Sequence, residues 1–459
     1  MRRNSDTYQL SDSAKTDWIF EAPDSSNIGS RSTRNVSVNL TAQVIRFFLQ
    51  VFSTIALARL LTPSDFGLVA MVSVFVNFVS LFKDAGLAQA TVQKVKITHV
   101  QISCLFWINL TLSIGLGILI VSLAPLVAWI YDEPRLLGIS AVLAIPVVVS
   151  GFSLQQRALL QRHMLFIKIV KIELISYAIG VCLGIISAYY GLGYWSLAIM
   201  PIVTSICSSF GLIVGIGWRP SLPKLGGGVR GMLSFGANIT SSNFVTYLAR
   251  NTDNFLIGKF LTVDALGQYS RAYGLMTLPI SQINAPIGNA LLPTLSRLQH
   301  NPKELSKLYL LWLKRISWLT AIPIASAFAW GESAILLLLG SDWLEAGEIF
   351  KWLAVGSFMQ PIVSFGGVAL ISKGLSREMF KWSAFSCVVR IISFVIGVYM
   401  GSPKYVAIAY ALTSLALFPL HTLYVVKSAE FNLFSYLRVF RLPLLIALGI
   451  IITSIIFSS

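Results

Sequence analysis

Apolar runs of roughly twenty residues, separated by short polar stretches, recur along the chain from residue 38 to its end. A helix crossing a bilayer needs about 20 mostly apolar residues, with a workable range of about 17–25. Thirteen runs qualify: Val38–Ala58, Phe66–Phe82, Ile102–Leu123, Leu136–Leu154, Ile172–Ala188, Trp195–Ile216, Ser234–Ile257, Leu266–Leu292, Leu308–Trp330, Gly347–Ile371, Trp382–Met400, Tyr405–Val426 and Leu442–Phe457. The predicted fold class is all-α: a polytopic membrane protein with twelve helices plus one. The seventh run is the least apolar, because it holds Asn238, Thr240, Asn243, Arg250 and Asp253. Residues Met1–Arg34 are polar and lack the apolar core of a signal peptide, so residues 1–35 are expected to form a disordered cytoplasmic tail.

Basic residues orient the runs. With the N-terminus in the cytoplasm, the tail and the cytoplasmic connections carry 24 of the 35 Lys and Arg. The opposite connections carry four, Arg59, Arg135, Lys259 and Lys404, and are comparatively acidic, as at Asp132–Glu133 and Asp342–Glu345. The alternation holds across all twelve connections, and a missed or false run in the middle would invert it.

An internal repeat divides the chain. Arg59–Leu60–Leu61–Thr62 with Phe66–Gly67 matches Lys259–Phe260–Leu261–Thr262 with Leu266–Gly267 at an offset of 200. A weaker echo at offset 210 places Asp132 on Asp342 and Leu143–Ala144 on Leu353–Ala354. The repeat unit is then six helices, an even number, so both copies enter the membrane from the same side. Two parallel lobes follow, a plan found among secondary transporters. The expected division is an N-lobe over 36–217, a cytoplasmic linker over 218–232 containing Gly226–Gly227–Gly228, a C-lobe over 233–427 and an extra C-terminal helix over 428–459.

Composition supports the membrane reading and narrows the chemistry. The chain is 55% hydrophobic and only 12% charged, with a mean hydropathy of +0.74, whereas an average soluble protein is about a quarter charged. The net charge of +16 does not signal nucleic acid, because the cations sit in short loops between apolar runs. Cys104, Cys182, Cys207 and Cys387 all lie in apolar runs and read as small hydrophobes. His99, His163, His300 and His421 do not pair at metal spacing, and no phosphate loop of the Walker type occurs. No cofactor is expected. With no inserted soluble domain, an enzyme such as a membrane polymerase or ligase is not expected either, and a channel fits the lobe repeat poorly.

The stretch around Leu61–Thr62–Pro63 and Phe66–Gly67, followed by Asp84–Ala85–Gly86–Leu87, resembles the start of the polysaccharide transporter family. Asp253 through Ile257–Gly258, Leu266–Gly267–Gln268–Tyr269 and Ala272 resemble its middle signature, and the likeness covers about residues 35–430. That family belongs to the superfamily of multidrug, oligosaccharidyl-lipid and polysaccharide exporters. The resemblance implies two six-helix lobes around a central cavity. It implies a flippase that moves polyprenyl-pyrophosphate-linked oligosaccharides across the bacterial inner membrane for exopolysaccharide or lipopolysaccharide synthesis. It also implies a monomer that associates with polysaccharide polymerase or export machinery. Thirteen helices depart from the twelve or fourteen usual in the family.

Charges inside the runs then become the candidate site. A charge at the bilayer centre costs about 2.5–3.5 kcal/mol on insertion scales, so it tends to face a cavity or a partner. Arg46 and Arg390 lie deep, Arg46 about 12 Å into its run at 1.5 Å per residue. Arg250 has Asp253 three residues on, the spacing of a structural pair on one helix face. Arg271 and Lys351 lie nearer the run ends, where snorkelling to the interface competes with a cavity role. These five cations face Asp253 and little other acid. A cationic cavity of Arg46, Arg250, Arg271 and Arg390 suits an anionic head group, since guanidinium grips phosphate oxygens in bidentate fashion. For coupling to H+ or Na+, Asp253 is the first candidate carboxylate and Asp84 the second. Polar residues on the first run (Asn39, Thr41, Gln43, Gln50) and the seventh (Asn238, Thr240, Ser242, Asn243, Thr246, Asn254) serve equally as a hydrated path for sugars or as hydrogen bonds between packed helices. A multidrug or small-solute antiporter on the same fold is the alternative, and it calls for acidic cavity residues instead.

Overall fold

A computed structural model describes residues 28–83, 87–93, 97–222, 247, 251–357 and 359–458. Among these the chain is α-helical with short connections and no strand. In chain order the helices are α1 (Ile28–Leu60), α2 (Pro63–Ser80), α3 (Leu87–Gln93), α4 (His99–Tyr131), α5 (Leu136–Gly151), α6 (Leu154–Arg162), α7 (Phe166–Tyr189) and α8 (Trp195–Ile216). They continue as α9 (Val263–Arg297), α10 (Pro302–Leu339), α11 (Leu344–Ser357), α12 (Gln360–Ser372), α13 (Ser376–Tyr399), α14 (Pro403–Ser428) and α15 (Leu433–Ser458). Residues 251–260 are also helical.

Ten described helical segments are long and apolar enough to cross a membrane, or eleven when α5 and α6, bent by 42°, count as one span. Among the described residues the expected thirteen is therefore not confirmed. Most of the seventh run lies outside the described residues. The eighth is helical as α9 but too polar to qualify, with Asp264, Gln268, Arg271, Gln282 and Asn284 along it. Side chains that would be buried in a soluble fold point outward: Phe48 is 65% exposed and Ile118 63%. Lipid, which has no cost for contacting them, is the solvent these surfaces fit. Trp129, Tyr189, Tyr190 and Tyr399 are exposed at the C-terminal ends of α4, α7 and α13, as interfacial aromatic belts are.

Contacts divide the chain into two compact units, Met1–Ser53 with Val72–Tyr247 and Thr54–Met71 with Leu248–Ser459. In the first, α4, α6, α7 and α8 bury Leu105, Phe106, Leu159, Ile169 and Leu212. Trp218 is 1% exposed and joins this core, and Trp107 donates its indole N–H to the Ser221 carbonyl at 2.8 Å. The first residues of the expected linker are thus docked on α4, while Gly226–Gly227–Gly228 lie outside the described residues. α1 likewise begins at Ile28, inside the stretch expected to be a tail.

In the second unit, α15 packs along α10. Tyr309 of α10 is stacked between Phe365, with centroids 4.6 Å apart, and Phe431, 4.8 Å apart. Tyr436 of α15 reaches the same place, its hydroxyl 3.4 Å from that of Tyr309.

The repeated motif has a local cause. Thr62 caps α2: its hydroxyl accepts the Asp65 N–H at 3.3 Å, and the Asp65 carboxylate accepts the Thr62 N–H at 3.0 Å. In the second copy the Thr262 hydroxyl accepts the Ala265 N–H at 3.1 Å. Each threonine satisfies a first-turn donor that a helix start leaves open.

Candidate substrate-binding site

In the first unit, Arg46 of α1 donates from Nη2 to Glu173 Oε2 at 2.7 Å. Arg157 of α6 donates from Nε to the other oxygen of the same carboxylate at 2.9 Å. Both arginine side chains are about half exposed, at 47% and 46%, whereas Glu173 is 18% exposed. Ser53 and Tyr177 extend this polar strip, joined by a side-chain hydrogen bond, with the charge of Arg46 reaching the Tyr177 phenol. Arg46 and Ser53 lie two turns apart on α1, and Glu173 and Tyr177 one turn apart on α7, so each pair shares a helix face.

Among the cations inside the runs, Arg46 thus meets an acid, Glu173, that was not expected opposite it. Glu173 neutralises part of the charge of Arg46. In the sequence it stands at the very edge of the fifth apolar run, where a charge reads as a helix end, whereas α7 begins earlier, at Phe166, and carries it inward. Arg157 reads as an ordinary cytoplasmic loop cation, and α6 is what places it beside Glu173. Two further cations, Lys314 and Arg315, fall within the ninth run, and Arg315 lies 4.8 Å over the Trp312 ring.

In the second unit, Arg271 packs inward: its guanidinium lies 4.5 Å over the Phe66 ring, and its Nε is buried without a hydrogen-bond partner. Phe66 meets Trp343 edge-on at 5.3 Å, and Trp343 donates its indole N–H to the Ala58 carbonyl at 2.9 Å. Arg390 lies 5.6 Å over the Tyr410 ring, again with Nε buried and unpartnered. Lys351 rests 5.2 Å over the Phe328 ring. Arg250 and Asp84 lie outside the described residues, as do Asn238, Thr240, Ser242, Asn243 and Thr246.

Asp253 is 2% exposed. Its Oδ2 accepts the Tyr269 hydroxyl at 2.9 Å and its Oδ1 accepts the Asn254 N–H at 2.8 Å. Among the described residues, the cation whose charge reaches it is Arg390. Tyr269 belongs to the signature Leu266–Gly267–Gln268–Tyr269, and its neighbours also bear structure. Leu266 and Ala272 are fully buried. Gln268 donates to the Asp342 carbonyl at 2.7 Å and accepts the Ala346 N–H at 3.0 Å, tying α9 to the start of α11.

The chain is 26% identical over 384 residues to the teichuronic acid biosynthesis protein TuaB of Bacillus subtilis (strain 168), covering 82% of this chain and 78% of that one. It is 24% identical to the lipopolysaccharide biosynthesis protein WzxC of Escherichia coli (strain K12), over 82% of this chain and 76% of that one. It is 25% identical to the succinoglycan biosynthesis transport protein ExoT of Rhizobium meliloti (strain 1021), over 81% and 75%. In structure it resembles the lipid II flippase MurJ in an inward closed conformation, with a TM-score of 0.71 at 15% identity, covering 92% of this chain and 93% of that one. It also resembles an inward-facing multidrug resistance MATE transporter of the MOP superfamily, with a TM-score of 0.65 at 14% identity, over 84% and 96%. The profile of the family described as "Polysaccharide biosynthesis protein" matches residues 56–348, well over half of the sequence, and the chain belongs to that family.

Proposed function

We propose that the chain is a secondary transporter that flips polyprenyl-pyrophosphate-linked oligosaccharide units across a bacterial inner membrane for exopolysaccharide or lipopolysaccharide synthesis. The carrying observation is membership of a polysaccharide biosynthesis family by a multi-pass helical bundle whose described connections are short. A protein built this way contributes to polymer synthesis by moving an intermediate through the bilayer. The sign of the charges supports a phosphorylated head group. Arg46 and Arg157 share one carboxylate, and Arg271 and Arg390 keep buried Nε groups without hydrogen-bond partners.

On this reading Arg46, Arg250, Arg271 and Arg390 engage the pyrophosphate, Asp253 carries the coupling proton or Na+, and the N-terminus is cytoplasmic. The six-helix lobes over 36–217 and 233–427, the linker over 218–232 and the extra helix over 428–459 are part of the same proposal, as is a monomer working beside polymerase or export machinery. Energetics favour export, because moving one charge through 100 mV is worth about 2.3 kcal/mol, and the dianionic head group moves toward the positive side.

The MATE-like fold keeps a small-solute antiporter as the rival. A site for organic cations calls for an excess of acid, and among the described residues the two acids of the site are already engaged, Glu173 by two arginines and Asp253 by Tyr269. The test is a proteoliposome assay with a fluorescent lipid-linked oligosaccharide. The chain should accelerate flipping well above protein-free vesicles and leave cationic dyes untransported. Dye efflux without lipid flipping would reverse the assignment.

A further inference from the structure

Glu173 is held in a specific way. It offers one oxygen to each of two guanidinium groups, at 2.7 Å from Arg46 Nη2 and 2.9 Å from Arg157 Nε, and it comes from a third helix. The three charges leave a net +1, and each arginine uses one contact to the carboxylate while about half of its side chain stays exposed. A guanidinium carries five N–H donors in a fixed fork, so most of the donors here are turned to other partners or to solvent.

We infer that Glu173 is a built-in counter-ion occupying the seat of the substrate's diphosphate, which displaces it when it binds. This rests on the flippase reading above. A diphosphate presents several anionic oxygens and about two charges where the carboxylate presents two oxygens and one charge. Exchange therefore satisfies more of the guanidinium donors and matches the pair of cations in charge. The exchange also solves a physical problem. Two like-charged guanidinium groups converging on one place repel each other when no anion lies between them, although half exposure to solvent softens the cost. Glu173 takes both arginines back as the head group departs. The same competition keeps the resting affinity moderate, and a transport site must bind strongly enough to load and weakly enough to release. Arg157, outside the candidate set read from sequence, joins Arg46 as a binding residue, while Glu173 is a positioning and specificity residue.

The test is calorimetric titration of the purified full-length protein with inorganic pyrophosphate, beside flipping kinetics in proteoliposomes. Glu173→Gln removes the competing charge and should tighten pyrophosphate binding about tenfold. Glu173→Asp, a more conservative change whose shorter arm does not span both arginines, should tighten it by a smaller factor. Arg157→Gln and Arg46→Gln should each weaken it about tenfold. Flipping by Glu173→Gln should show a lower KM together with a lower kcat, because release becomes slow. If both Glu173 variants bind pyrophosphate like the wild type while the arginine variants weaken it, the counter-ion inference falls and the cationic site stands. If none of the four variants changes binding, the cationic head-group site falls and takes the inference with it.

Discussion

Gly67 and Gly267, 200 residues apart and equivalent in the internal repeat, pack reciprocally against each other's helix start. A methyl group on Gly67 would collide with the Val263 carbonyl, and one on Gly267 would collide with the Pro63 carbonyl and lie 3.2 Å from the Gly67 nitrogen. Val263 is the repeat equivalent of Pro63, so the contact has local two-fold character. Small residues allow such backbone approach between membrane helices, where packing and weak hydrogen bonds replace the hydrophobic driving force. The match visible as a sequence echo is thus a physical contact between its two copies. Gly67→Ala and Gly267→Ala should each cost about 1–3 kcal/mol by overpacking against backbone that cannot rotate away. Thermal unfolding in detergent should show a lowered Tm for both. An unchanged Tm would mean that the helix starts part easily.

The two deepest cations differ in setting, and their variants should differ accordingly. Arg46→Gln leaves Glu173 paired with Arg157, so the fold should persist while pyrophosphate-lipid binding drops. Arg390 is packed on Tyr410. Arg390→Gln removes a cation–π contact of about 0.5–2 kcal/mol, and both Tm and binding should fall. Binding that stays at the wild-type level in both variants would remove the cationic-site argument.

Asp253→Asn keeps an oxygen able to accept the Tyr269 hydroxyl but removes the negative charge, so the variant should fold. If Asp253 carries the coupling ion, flipping should slow and lose its response to a pH or Na+ gradient. A wild-type rate with the normal response would take Asp253 out of the coupling role.

At the α4–α5 turn, Arg135 holds the Glu133 carboxylate below its ordinary pKa, mainly through side-chain hydrogen bonds of 2.7 Å to each carboxylate oxygen. The folded form therefore binds its proton less readily than the unfolded form. The stabilisation is present above the ordinary carboxylate range and is lost as pH falls through the lowered folded value. Arg135 is half exposed, so the contribution is that of a surface pair, about 0.2–1 kcal/mol. The Tm difference between wild type and Glu133→Gln should be small at neutral pH and should vanish in acid. A difference that grew in acid would contradict the sign.

Several local features are legible in the order of residues alone. Thr62 and Thr262 recur because each caps a helix, and a cap needs only a few neighbouring residues. The apolar runs appear as helices because a spanning segment must satisfy its backbone hydrogen bonds internally whatever surrounds it. The eighth run is legible as a helix, and its polar residues are legible too, but not that Gln268 is buried where it ties α9 to the start of α11. Depth in a run is also a poor guide to Arg271. Reach to the interface suggests snorkelling, yet the guanidinium lies on Phe66, a residue 205 positions earlier.

The sequence by itself determined the helical class, the repeat and the family, because hydropathy, capping and motif spacing are written in consecutive residues. Only the tertiary structure decided which charges meet. Glu173 lies 127 positions from Arg46 and 16 from Arg157, and the acid of Asp253 found its hydroxyl on another helix. Such pairs depend on how helices pack and rotate against each other, and a single chain read in order carries no record of that angle.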